Sequence, residues 1–162
     1  MNQVAMISSV HEDDIRFECN TKDFNATERK EQRGGADPRT TLWAGGIVPY
    51  VFTSSFTHTD RLTFAKAVEL IEASTCLKFV GRTNQRHWIR IERLCPCGGN
   101  CFGGGFTDGL GIGSPRRLVI GSACISPTSE SGLGLTIHET LHALGVIHTQ
   151  KRPDRKVSFL KI

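Results

Sequence analysis

Apolar positions recur along this chain with periods that mark out a short series of elements. Ile47–Thr53 is an apolar run that predicts a strand. Pro49 points to an edge or an early position within it, because proline has no N–H to give a sheet ladder. A helix starts at Thr59 or Asp60, either of which can cap it, and Leu62, Ala65, Val68 and Ile71 recur on one face up to about Ala73. Leu77–Val80 predicts a second short strand. Across His87–Glu92, Ile89 and Ile91 alternate with Arg90 and Glu92, which is the pattern of a half-buried strand. Leu118–Ile120 predicts another. Ile137, Leu141 and Leu144 then follow at spacings of four and three, as in a buried helix. Strands on either side of helices imply an α+β architecture: a mixed, twisted sheet with a backing helix and a second helix placed last.

The segment before Gly34 follows no such pattern. Met1 to Arg33 is polar and densely charged from His11 to Gln32, so residues 1–33 are expected to be extended or poorly ordered ahead of a folded unit at 34–162. The segment closes on Glu28-Arg29-Lys30-Glu31-Gln32-Arg33, then Gly34-Gly35. A basic cluster before an exposed glycine pair suits proteolytic cutting. On composition alone, a solvated linker fits equally well.

Composition narrows the setting. With 162 residues and 38% hydrophobic content, one compact domain plus a tail is expected. The net charge of +4 is mild and its basic residues are scattered, so nucleic acid is not an expected partner. No apolar stretch approaches the ~20 residues of a transmembrane helix. Six cysteines suit an oxidising compartment, although Met1 to Val10 has neither the charge nor the apolar length of a secretory leader. Cys95-Pro96-Cys97 and Cys101 could form a small metal knuckle, but the C-x-C spacing is tight and no second pair follows, so disulfides are the better reading.

The most specific chemistry lies in His138-Glu139-Thr140-Leu141-His142-Ala143-Leu144-Gly145-Val146-Ile147-His148. Histidines four apart on a helix lie about 40° apart around the axis and about 6 Å apart along it, so His138 and His142 can converge on one ion. Zinc asks for nitrogen ligands at about 2.0–2.1 Å. Glu139, about 100° further round, can reach a water on that ion without being a ligand. His148 would lie about 15 Å beyond His138 if the helix continued, so the chain must leave the helix first. Gly145 is placed to end it. Such residues can also sit on a helix as solvated surface groups, but then the glycine and third histidine are coincidences.

This segment has the H-E-x-x-H-x-x-G-x-x-H form of the metzincins. Arg152, Asp154 and Arg155 continue it in register with the E-x-x-R-x-D-R of the astacin family of zinc metalloendopeptidases, which the chain resembles. Thr149 stands where the family usually has glutamate. Upstream, Leu42-Trp43-Ala44-Gly45-Gly46-Ile47-Val48-Pro49-Tyr50 is similar to the family's L-W-x-G-G-x-I-P-Y strand, and Ser74-Thr75-Cys76-Leu77-Lys78-Phe79-Val80 to its T-C-I-x-F segment. The likeness spans about Leu42 to Arg155.

The resemblance implies the upper subdomain of a zincin fold, with one zinc held by His138, His142 and His148. Three neutral imidazoles leave a position for water and lower its pKa to about 7. Glu139 is then the catalytic general base in hydrolysis of a protein or peptide substrate. The likeness also implies secretion, a Cys101–Cys124 disulfide, and a pro-segment removed by a processing protease near Arg33-Gly34. Asp14 would be the inhibitory zinc ligand of that segment, though the family's F-x-G-D is missing around it; Cys19 could ligate zinc as a thiolate, which is not the family's habit, and is better read as a bystander. The usual partner of Cys76 lies beyond this chain, and none is assigned to Cys95 or Cys97. Gly103-Gly104-Gly105-Phe106 falls where the family has its substrate-pairing edge strand. After Arg155 come neither the family's methionine turn nor its metal-side tyrosine. The chain is therefore read as a truncated astacin. Two functions remain open: an active endopeptidase, or an inactive zinc-binding fragment or pseudoprotease.

Overall fold

A computed structural model describes residues 39–93, 104–120, 130–148 and 151. After a short 3-10 turn at Ala44–Gly46, the elements are β1 (Ile47–Phe52), α1 (His58–Ser74), β2 (Lys78–Gly81), β3 (Ile89–Arg93), β4 (Gly105–Thr107), β5 (Arg116–Ile120) and α2 (Glu130–Leu144). The five strands form one sheet in the order β2-β1-β3-β5-β4. Neighbours run parallel except at the edge, where β4 is antiparallel to β5. This is the mixed α+β arrangement expected from the pattern.

The register shows that both helices cover the same face. Phe52 pairs with Ile91, Ile91 with Leu118 and Leu118 with Thr107, so these four side chains point the same way. Phe52 meets Phe64 of α1 edge-on, with ring centroids 5.5 Å apart, and Thr107 meets α2. Val48, Ile89, Ile91 and Leu118 on this face are wholly buried. The opposite face carries exposed Ile47, Val51 and Phe106 together with a Glu92 carboxylate held by Arg117 at 2.6 Å. The alternation of Ile89 and Ile91 with Arg90 and Glu92 is therefore a division between core and solvent.

Pro49 sits in an interior strand, and the hydrogen-bond directions explain how. The Tyr50 carbonyl accepts from Arg82 beyond β2, while the Thr53 N–H donates to Ile91 of β3. Odd positions of β1 therefore face β3, whose pairing begins only at Tyr50. The proline nitrogen lies before that ladder starts, so no hydrogen bond is lost.

α1 begins earlier than the pattern suggests, its cap lying two residues before Thr59 and three before Asp60. Thr57 is the N-cap, accepting from the Asp60 N–H, and the Asp60 carboxylate returns to the Thr57 N–H at 2.8 Å. This is a capping box, which makes Asp60 its third residue rather than its cap. Asp60 also forms a buried ion pair with Arg93, fastening the helix start to the end of β3. The buried face is Thr63, Phe64, Ala67 and Ile71, whereas Leu62 is exposed. Phe64 sets this rotation, because its ring fills the space among Tyr50, Phe52 and Phe79.

Candidate metal centre

The residues of α2 are poor helix formers taken alone: Gly132 and Gly134 lie within it. Packing compensates. Its buried residues include Gly132, Thr136, Thr140 and Ala143, small side chains that let the helix lie close to α1, β4 and β5. The two buried threonines are satisfied along the helix itself, Thr136 donating to the Gly132 carbonyl and Thr140 to the Thr136 carbonyl. Ile137 and Leu141, expected as part of the buried stripe, are only half-buried; Leu144 is fully buried.

The helix ends at Gly145, as its position in the motif predicts. Gly145 takes φ 108°, a value that L side chains rarely adopt, and a Cβ there would press on Leu42 and Thr40 at 3.0 and 3.1 Å. The Gly145 N–H returns to the His142 carbonyl and the Val146 N–H to the Leu141 carbonyl, which is a Schellman closure. Remote groups also reach the carbonyls of this last turn. Trp43 Nε1 donates to Ala143 at 2.9 Å, and the Gly111 N–H donates to His142 at 3.2 Å. Arg116 holds the Gly111 loop in shape by donating to the carbonyls of Leu110, Gly111 and Ile112.

This bend brings three imidazoles together. The Nε2 atoms of His138, His142 and His148 lie 3.0–3.1 Å from one another. An ion with tetrahedral bonds of ~2.0–2.1 Å needs nitrogens roughly 3.3 Å apart, so the trio fits a small divalent metal. His142 Nδ1 lies 2.7 Å from the Val146 carbonyl, which fixes its proton there and turns the Nε2 lone pair toward the cluster. Burial, then the neighbouring His142, His138 and Lys151, hold the His148 imidazole below its ordinary value, with Glu139 opposing. A neutral ring is the form that can bind a metal. Among the described residues this is the cluster able to hold an ion.

Glu139 is 6% exposed and lies against the edge strand. The Thr107 hydroxyl is 2.9 Å from its main-chain carbonyl and 3.4 Å from Oε2. A Cβ on Gly105 would stand 2.8 Å from Glu139 Cγ. The sequence singled out neither Thr107 nor Gly111; only their partners across the fold reveal them.

The family model described as Astacin, a peptidase family, matches residues 36–162. The chain belongs to the astacin family. Over 135 residues it is 33% identical to Tolloid-like protein 2 of Mus musculus, covering 83% of this chain and 12% of that protein. It is 28% identical over 148 residues to Zinc metalloproteinase nas-12 of Caenorhabditis elegans, covering 91% and 34%. Among solved structures, High choriolytic enzyme 1, a hatching enzyme zinc-protease from Oryzias latipes, matches with a TM-score of 0.51 at 29% identity, covering 72% of this chain and 52% of that one. The chain thus spans only a small part of the length of its tolloid-like relatives. Of the astacin features expected from sequence, Asp14, Cys19, the Arg33-Gly34 junction, Cys95, Cys97, Cys101, Cys124, Thr149, Arg152, Asp154 and Arg155 lie outside the described residues. Cys76 lies within them and is disulfide-bonded.

Proposed function

We propose that this chain carries the metal-binding half of a zinc metalloendopeptidase that hydrolyses peptide bonds in proteins. The observation that carries the reading is the convergence of three Nε2 atoms from a single bent segment, with the Glu139 carboxylate one residue along. His138, His142 and His148 are the ligands of one zinc ion, and Glu139 is the general base. Zinc in this position supplies a Lewis acid and a site where water loses its proton near neutral pH. The Glu139 carboxylate accepts a proton from the attacking water and passes it to the departing amine nitrogen as the C–N bond breaks. His142 is held in its binding tautomer by the Val146 carbonyl.

Two finer readings accompany this one. Residues 1–33 act as a pro-segment cut near Arg33-Gly34, a boundary supported by the family match beginning at residue 36. The protein is secreted, which the six cysteines and the bonded Cys76 support. Among the described residues no helix is long and apolar enough to cross a membrane.

Glu139→Gln tests the central claim. Metal analysis should find one zinc per chain in both forms, while cleavage of a denatured collagen substrate falls at least about a hundredfold in the variant. A variant that cleaves as fast as the parent removes Glu139 from its role. A parent that holds zinc but cleaves nothing, before or after a cut near Arg33, replaces the peptidase with an inactive zinc-binding chain.

A further inference from the structure

Two residues of the edge strand converge on Glu139, one by leaving room and the other by hydrogen bonding. Gly105 and Thr107 are two apart on β4, so both face α2 while Phe106 between them faces solvent. At Gly105 the missing side chain is required by the approach: a Cβ would stand 2.8 Å from Glu139 Cγ and 2.9 Å from the Val119 carbonyl. At Thr107 the hydroxyl sits between two oxygens of the same residue, 2.9 Å from the Glu139 carbonyl and 3.4 Å from Oε2. It has one proton to donate, and the helix carbonyl already serves the α2 ladder. The carboxylate has no such second donor among the hydrogen bonds of the described residues.

We infer that β4 is the positioning element of the Glu139 carboxylate, Gly105 giving the side chain its space and Thr107 tethering it through the hydroxyl. The inference rests on the proposed role of Glu139 as general base. Among the hydrogen bonds of the described residues Thr107 makes none to the three imidazoles, so it acts on the base without acting on the metal. A freely rotating carboxylate at this position spends most of its time out of reach of the reacting water, and misplacement by about 1 Å can cost up to about a hundredfold in rate.

The test compares Thr107→Val, which keeps the shape and removes the hydroxyl, with Thr107→Ser, which restores it. Both are made in the zinc-loaded full chain with 13C-labelled glutamate. The Glu139 carboxylate carbon is assigned by its loss in Glu139→Gln. Thr107→Val should move that resonance and lower kcat about tenfold at unchanged KM, with zinc affinity retained; Thr107→Ser should return both toward the parent. An unmoved resonance in Thr107→Val overturns the inference, as does an equal shift in the valine and serine variants. A fall in zinc affinity parallel to kcat also overturns it, because Thr107 would then act through the histidines. Should the parent chain cleave no substrate, the proposed function falls, and the resonance alone decides the positioning by the same outcomes.

Discussion

The two helices of this protein lie side by side on one sheet, yet they are held in opposite ways. α1 is finished by its own sequence. Thr57 and Asp60 close its start, Ser74 and Thr75 donate to the Leu70 and Ile71 carbonyls at its end, and one large ring, Phe64, decides which face is buried. α2 has small residues on its buried face, two internal glycines and carbonyls satisfied from far away in the chain, by Trp43 and Gly111. Local signals suffice where an element only has to fill space. Where an element must aim side chains at one point, the rest of the fold fixes its position.

This contrast can be broken most severely at Phe64. Phe64→Ala should cost about 3–5 kcal/mol in urea unfolding, because the ring is 1% exposed amid three aromatic neighbours. The folded fraction should still bind one zinc per chain. A folded Phe64→Ala protein without metal would show that α1 also governs the site.

Gly145→Ala reverses the proportions. Forcing a Cβ into φ 108° against Leu42 and Thr40 should cost about 1–3 kcal/mol. Zinc affinity, measured by competition with a chelator, should fall by about ten- to a hundredfold because His148 is re-aimed. Trp43→Phe is gentler: it removes the indole N–H bonded to the Ala143 carbonyl together with part of a buried ring, and should cost about 1–2 kcal/mol. Faster amide exchange in the last turn of α2, with none in α1, is the expected signature.

The smallest effect belongs to α1 and depends on pH. The Phe79 N–H, bonded at 2.7 Å, holds the Glu72 carboxyl below its ordinary value; burial opposes this and Lys78 adds to the lowering. The folded value is depressed, so the contribution is present above the ordinary carboxylate range and lost as pH falls through the lowered value. The gap in unfolding midpoint between the parent and Glu72→Gln should therefore close on acidification below that range. A gap independent of pH would assign the effect to packing instead.

These differences also explain what could be read in advance. The histidine trio was legible because its geometry depends on helix rise and one glycine, both local. Four of the strands were legible because apolar residues mark the inner face, as with Ile89 and Ile91, whereas β4 was expected only from the family resemblance. The face of α1 was not: positions three apart drift around a helix, and Leu62 and Phe64 are equally apolar on paper while only the ring fits the sheet. Thr107 and Gly111 gave no signal, since neither their type nor their spacing departs from an ordinary loop and strand. Their contacts with α2 exist only once β4 and β5 have paired. Pro49 suggested an edge for a sound reason, but the missing donor mattered on one side of β1 alone.

The groups that receive α2 share one property of order. Trp43, Thr107 and Gly111 all precede His138 in the chain. Synthesis proceeds from the N-terminus at ~5–20 residues per second, so the pieces that orient the histidine-bearing helix leave the ribosome before the histidines do. A metal ion meeting the nascent chain therefore finds its donors emerging onto a support that is already translated, and ion capture can be a late step in maturation rather than the event that starts it.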